Sequence, residues 1–83
     1  MTLDTITPCI KIQKVNGMMG MDMYIEYQDN ITVTEMSGEV TTGILFDLEL
    51  GTDEEMDDVL VVKTKSGDLK KIGTSWILDI DSI

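Results

Sequence analysis

The sequence predicts a small all-β domain, and three observations predict it. The chain of 83 residues contains ten isoleucines, ten threonines and six valines but no alanine. β-Branched side chains pack well on pleated surfaces, whereas alanine is the strongest helix former. Short stretches of alternating apolar and polar residues recur, and glycine- or asparagine-containing turn signals separate them. No apolar run approaches the roughly 20 residues of a membrane-spanning helix.

The elements follow in order. Pro8 starts an extended segment. CIKIQKV comes next, with Ile10, Ile12 and Val15 near one face and Lys11 and Gln13 on the other. Asn16-Gly17 is a strong hairpin signal. MMGMDMYIEYQ returns as a second strand, with Met23, Ile25 and Tyr27 opposed to Asp22, Tyr24 and Glu26. Gly20 within it suggests a bulge. A helix over residues 18 to 28 fits less well, given two tyrosines and a glycine. Asp29-Asn30 turns into the strand ITVTEM, and Ser37-Gly38 turns that strand into GEVTTGILFDLEL.

In this long stretch Val40, Thr42, Ile44, Phe46, Leu48 and Leu50 share one face. That set is almost wholly apolar and is expected inside. Thr41, Gly43, Leu45, Asp47 and Glu49 are expected outside, with Gly43 marking a bend. The run Val59-Leu60-Val61-Val62 is apolar on both faces and suits a central or covered strand. Ser66-Gly67-Asp68 turns into the short strand LKKI. GTSW reads as one tight turn, and WILDIDSI is the last strand. In it Trp76, Leu78 and Ile80 are expected inside, and Asp79 and Asp81 outside. The whole chain, residues 1–83, is expected to form one domain. Residues 1–30 make a hairpin-like extension and residues 31–83 the main sheet.

Charge and cysteine content narrow the function. The net charge is −10, every basic residue is a lysine and there is no arginine. A broad phosphate-binding face is therefore not expected. With no histidine and one cysteine, an internal disulfide is excluded and a zinc site disfavoured. The lone Cys9 fits a reducing cytosol or a core-filling role. No histidine can act as a general base, and no glycine-rich phosphate loop is present, so an enzyme is not expected. No cofactor is expected. The N-terminal MTLDTITP has no basic segment of a signal peptide, so an intracellular protein is expected, cytoplasmic or phage-encoded.

Three local features stand out. Asp53, Glu54, Glu55, Asp57 and Asp58 form an acidic run. Within it Asp53, Glu55 and Asp57 are candidate ligands for a hard cation, although the spacing is not that of an EF-hand. The plainer reading is a solvated loop. Met18, Met19, Met21 and Met23 cluster as core or interface filler, or as an adaptable surface. Trp76 is expected to close one end of the sheet, with stacking on a base as the alternative.

The strand order of residues 31–83 resembles the SH3-like small barrels, and more narrowly the Sm-like family. Gly38 and Gly43 stand where that family has two glycines around the turn into its bent second strand. Met56-Asp57-Asp58-Val59-Leu60 is a loose counterpart of its third-strand motif. Lys71-Ile72-Gly73-Thr74-Ser75-Trp76-Ile77 occupies the place of its Ile-Arg-Gly motif. The resemblance implies a strongly bent, five-stranded barrel that pairs edge strands between subunits into a ring of roughly five to seven copies. It implies an interface of Leu69, Lys70, Lys71, Ile72, Ile77, Asp79 and Asp81. Lys70 and Lys71 would face Asp79 and Asp81 of a neighbour, at about 0.2–1 kcal/mol per exposed pair. It also carries an alternative, nucleic-acid binding through Lys63, Lys65, Lys71 and Trp76. Two departures weigh against that alternative. Asp57 stands at the position of the family's base-holding asparagine, and Lys71 where the family has arginine. The family's N-terminal helix is not evident either. The resulting expectation is a structural or adaptor subunit whose partner is itself, with a further protein partner open and no membrane involved.

Overall fold

In the computed structural model, residues 1–53 and 56–83 are described, with the backbone alone at Asn16. The described chain is all-β apart from one turn of 3₁₀ helix. Strands β1 (Cys9–Asn16) and β2 (Met19–Glu26) form a hairpin around Gly17, whose φ of 65° is left-handed backbone that glycine adopts at little cost. The register runs evenly from Cys9↔Glu26 to Asn16↔Met19, so Gly20 lies in a regular ladder rather than at a bulge.

The remaining strands are β3 (Asn30–Glu35), β4 (Val40–Glu49), β5 (Val59–Lys63), β6 (Leu69–Gly73) and β7 (Ile77–Ser82). They form one antiparallel sheet in the order β6-β5-β4-β3-β7. A 3₁₀ turn, η1 (Thr74–Trp76), joins β6 to β7. No ladder joins β6 to β7 among the described residues, so the sheet curls without closing. The curl is visible in one side chain. Lys70 on β6 reaches Glu35 on β3 at 3.1 Å. In a flat sheet those strands, three apart, would lie roughly 14 Å from each other.

One core serves both sheets. Ile31, Val33, Leu45, Leu60, Val62, Ile72 and Ile80 line the inner face, and Ile10 and Ile25 of the hairpin pack onto them. Ile12, Met23 and Tyr27 pack against the same cluster, so β2 faces as its alternation predicts. Val61 is buried too, on the opposite face of β5. It is paired with Asp47 and Lys71, and the Lys71–Glu49 ion pair joins the strands on either side of it.

The long strand β4 departs from its expected facing. Thr41, Gly43 and Leu45 are buried, while Val40, Phe46 and Leu50 are exposed. Leu50 lies beyond the end of β4, and within the strand the cause of the mixed facing is a bulge. Leu45 pairs with Val62 and Asp47 with Val61, leaving Phe46 as an extra residue. One inserted residue switches which positions point inward. Leu48 is therefore inside, as expected, although it shares a parity with exposed Phe46. Gly43 is inside as well, where β4 and β5 approach closely.

The last strand is corrected in the same way. Leu78 is exposed, because the β3–β7 register shifts between Thr34 and Glu35. Trp76 belongs to η1 and is 67% exposed, so it does not close the sheet. Ile80 is buried, as its place in the alternation predicts.

The radius of gyration, 14.0 Å, exceeds the value of about 12 Å expected for a compact chain of this length. Residues 1–8 are exposed and form no strand.

Candidate functional site

Unpaired strand edges and three polar clusters are the features with functional potential. β6 pairs only with β5, and β7 only with β3, among the described residues. These strands carry the interface expected from the sequence. An edge strand presents open N–H and C=O groups that invite another strand.

The charges on those edges are engaged within the chain. Lys70 points to the inner face, as its neighbour Ile72 does two residues on. Its ammonium meets Glu39 at 2.9 Å, Glu35 at 3.1 Å and the Thr41 hydroxyl at 2.9 Å. The hydrogen bonds to Glu39 and Glu35 raise the Lys70 pKa, and the same bond lowers that of Glu39. Lys71 pairs with Glu49 at 3.0 Å. Asp79 and Asp81 pair with Lys14 of the hairpin, at 2.9 and 2.6 Å. Hydrogen bonds to Asp81 and then Asp79 raise the Lys14 pKa, and the Lys14 bond lowers that of Asp79. The expected register of Lys70 and Lys71 against Asp79 and Asp81 of a neighbour would have to break these internal pairs.

Lys14, Glu35, Glu39 and Thr41 were not singled out from the sequence. Lys14 shares the inward parity of Ile10 and Ile12, which was the available signal. Thr41 was hidden by the misassigned face of β4.

The third cluster is a latch. Asp57 Oδ2 accepts the Ser75 N–H at 2.9 Å and the Ser75 hydroxyl at 2.6 Å. Asp57 Oδ1 accepts the Thr74 hydroxyl at 2.8 Å. The Asp58 carbonyl takes the Thr74 N–H, at 2.8 Å. Bonds from the Ser75 hydroxyl, the Ser75 N–H and the Thr74 hydroxyl hold the Asp57 carboxyl below the usual range. An acid that seemed solvated in the sequence thus ties the acidic segment to η1. Asp57→Ala is expected to speed hydrogen exchange at the Ser75 amide while leaving the β3 and β4 amides protected. Unchanged Ser75 exchange would remove the latch.

Of the cation candidates, only Asp53 and Asp57 lie among the described residues. Both oxygens of Asp57 are used by η1, Asp53 accepts the Met56 N–H at 3.0 Å, and Glu55 lies outside the described residues. Among the described residues no three acids or cysteines are grouped to hold a metal. The nucleic-acid candidates are dispersed as well. Trp76 lies beside Gly73, at the end of β6 that pairs with Val59. Lys63 pairs with Leu69 at the other end, roughly 13 Å away at about 3.3 Å per residue, and Lys65 lies beyond it. Lys71 is held by Glu49.

No family model, curated protein or solved structure matches the chain. Of the methionine cluster, only Met23 packs on the core. Met18, Met19 and Met21 are exposed at the hairpin tip, so core filling is excluded for those three. Cys9 is exposed, which removes its core-filling reading. Between β1 and β7 runs a groove of about 730 Å³ whose lining includes Ile12, Lys14, Leu60, Ile77 and Asp79. No described helix is long and apolar enough to cross a membrane.

The lowered carboxyl pKa values set an acid limit. Asp57, Asp79 and Glu39 release protons more readily folded than unfolded, so their contribution is present above the ordinary carboxylate range. It is lost as the pH falls through their depressed folded values. The raised lysines act oppositely. Lys14 and Lys70 stabilise below the ordinary lysine pKa and lose that contribution as the pH rises through their folded values. Urea midpoints measured across pH should therefore form a plateau with an acid and an alkaline decline. Lys14→Met should weaken the alkaline decline; an unchanged profile would contradict the Lys14 pairing.

Proposed function

We propose that this protein is a non-enzymatic structural or adaptor subunit that self-associates head to tail through the unpaired edges of its curled sheet, closing into a ring. The observation that carries the reading is that β6 and β7, the two outermost strands, lack a strand partner on their outer sides among the described residues. A small open sheet with two bare edges gains backbone hydrogen bonds by pairing with a copy of itself. The resemblance of residues 31–83 to the Sm-like family supports the same reading. So does the inventory of chemistry, which offers no histidine and no assembled cation or nucleophile cluster among the described residues. The exposed single thiol of Cys9 suits a reducing, intracellular compartment.

Nucleic-acid binding is not favoured, because the two ends of β5 and β6 hold its candidate residues apart and Lys71 is paired. Native mass spectrometry in low-salt buffer tests both readings. One discrete assembly of roughly five to seven protein masses is expected for a closed ring. A monomer at micromolar concentration overturns the assembly. An added nucleic-acid mass would restore the second reading.

A further inference from the structure

Two surface features complement one another, a groove that only the Lys14 ion pairs with Asp79 and Asp81 cross among the described residues, and an arm with no strand partner there. The first is the groove of about 730 Å³ between β1 and β7. Both flanking strands have a bare edge, since β1 pairs only with β2 and β7 only with β3 among the described residues. The second is the segment MTLDTITP, exposed throughout. Thr2, Thr5, Ile6 and Thr7 are β-branched and suit a strand. Yet Leu3 is 73% and Ile6 80% exposed, without an apolar surface to cover them.

The segment is poorly placed to fold back into its own groove. The Pro8 carbonyl accepts the Tyr27 N–H at 3.2 Å, so Pro8 already lies along β2 in the line of β1. A two-residue hairpin reversal needs positive φ, which proline cannot adopt and threonine rarely does. Residues 1–8 are exposed and pair with no described strand of their own chain. Seven extended residues reach roughly 23 Å, enough to meet another molecule.

We infer that the groove between β1 and β7 receives residues 2–7 of a second copy, added as a strand to the free edge of β7. This rests on the self-association reading, keeps the β7 edge as acceptor, and puts the arm of a second copy there in place of its β6. Charge selects the arm over β6. The groove lining includes Lys11 and Lys14 against one carboxylate, Asp79, in a chain of net charge −10. The arm brings Asp4 as its only charged side chain, whereas β6 brings Lys70 and Lys71. Lys14 already bridges Asp79 and Asp81. Among the described residues Lys11 is held only by Asp22, at 3.7 Å with both side chains about half exposed, and is the cation left for Asp4. In an extended strand Leu3 and Ile6 fall on opposite faces. One of them meets the apolar lining from Ile12, Leu60 and Ile77, and the other is covered at the groove mouth. Arm into groove is a heterologous contact, so its repetition gives a ring where the rotation closes and a filament where it does not.

Sedimentation velocity over the micromolar range tests this with three proteins: the full chain, a chain lacking residues 2–7, and the full-length double variant Leu3→Asp, Ile6→Asp. Because the altered residues are exposed, the fold survives their change. The full chain is expected to assemble. Both variants are expected to bind themselves at least about tenfold more weakly. A synthetic TLDTITP peptide, added to the truncated chain, should shift the amide resonances of residues 10–15 and 77–80. Variants that assemble as the full chain does would overturn the arm while leaving self-association standing. Weakened variants with no peptide-induced shift at those amides would overturn the groove as the acceptor. A full chain that stays monomeric would overturn both inferences.

Discussion

Gly43→Ala is expected to unfold this protein at ordinary temperature or come close to it. The substitution adds a single methyl to a buried position in β4. Gly43 has no positive φ, so alanine could adopt its backbone. Space is the obstacle. A Cβ there would fall on the Lys63 carbonyl oxygen and lie 2.9 Å from Val62 Cγ1 and 3.0 Å from the Lys63 carbonyl carbon. Two of those atoms are backbone and cannot swing aside as a flexible side chain can. Relief would pull β5 away from β4 at the pairs Ile44↔Lys63 and Leu45↔Val62, beside the core. Overpacking typically costs about 1–3 kcal/mol, and a clash with backbone atoms belongs at the upper end of that range. In a domain of this size each kcal/mol lowers the melting temperature by roughly 4–8 °C. The control is Gly20→Ala, whose Cβ would lie 3.8 Å from the Lys14 carbonyl oxygen, an ordinary contact. It should be neutral or stabilise by about 0.5–1 kcal/mol, because glycine is costly inside a strand. Thermal circular dichroism on the two variants makes the comparison. Equal melting temperatures would mean that β4 and β5 do not approach as closely as described.

Leu45→Ala is the second large effect, and Phe46→Ala gives it meaning. Leu45 is fully buried, against Val62 and the rest of the core, whereas Phe46 is 41% exposed. Truncating a buried leucine leaves a cavity and costs about 2–5 kcal/mol. Phe46→Ala removes more atoms, yet it should cost only about 1 kcal/mol, because much of the ring already meets water. Facing assigned from plain alternation would predict the reverse order. Denaturant unfolding of both variants decides it, and a larger loss for Phe46→Ala would return Phe46 to the core.

The elements were legible in the sequence where spacing and turn chemistry act locally. Alternation and glycine-bearing turns outline the strands, and Val59 to Val62 announce a strand buried on both faces. The all-β class follows from the same signals. The facing of β4 was not legible, because apolar spacing is blind to an inserted residue. Phe46 joins Val40, Ile44 and Leu48 in an apparently continuous apolar stripe, and Leu45 looks like the exception. Only the partner strand reveals that Phe46 has no opposite number.

The polar clusters were hidden for a different reason: they link residues far apart in the chain. Asp57 stands in an acidic run, but its carboxylate bonds to Thr74, seventeen positions along. Lys70 and Lys71 looked like adjacent edge charges. The pleat sends Lys70 inward to Glu35 and Thr41, and Lys71 outward to Glu49. The bare outer edges of β6 and β7 follow from strand order, which local spacing does not encode.

The bulge at Phe46 separates two properties that are usually inseparable in a strand. Deleting that residue would leave Leu45 opposite Val62, Asp47 opposite Val61 and Leu48 opposite Leu60. Every inward side chain would still point inward and every outward one outward. What would go is the extra length on one strand, and with it part of the bend that brings the two sides of the sheet within reach of one lysine. Phe46 thus acts as a spacer for curvature, not as a letter in the code that sorts inside from outside. The inside-outside pattern could be kept whole while the shape it decorates is flattened.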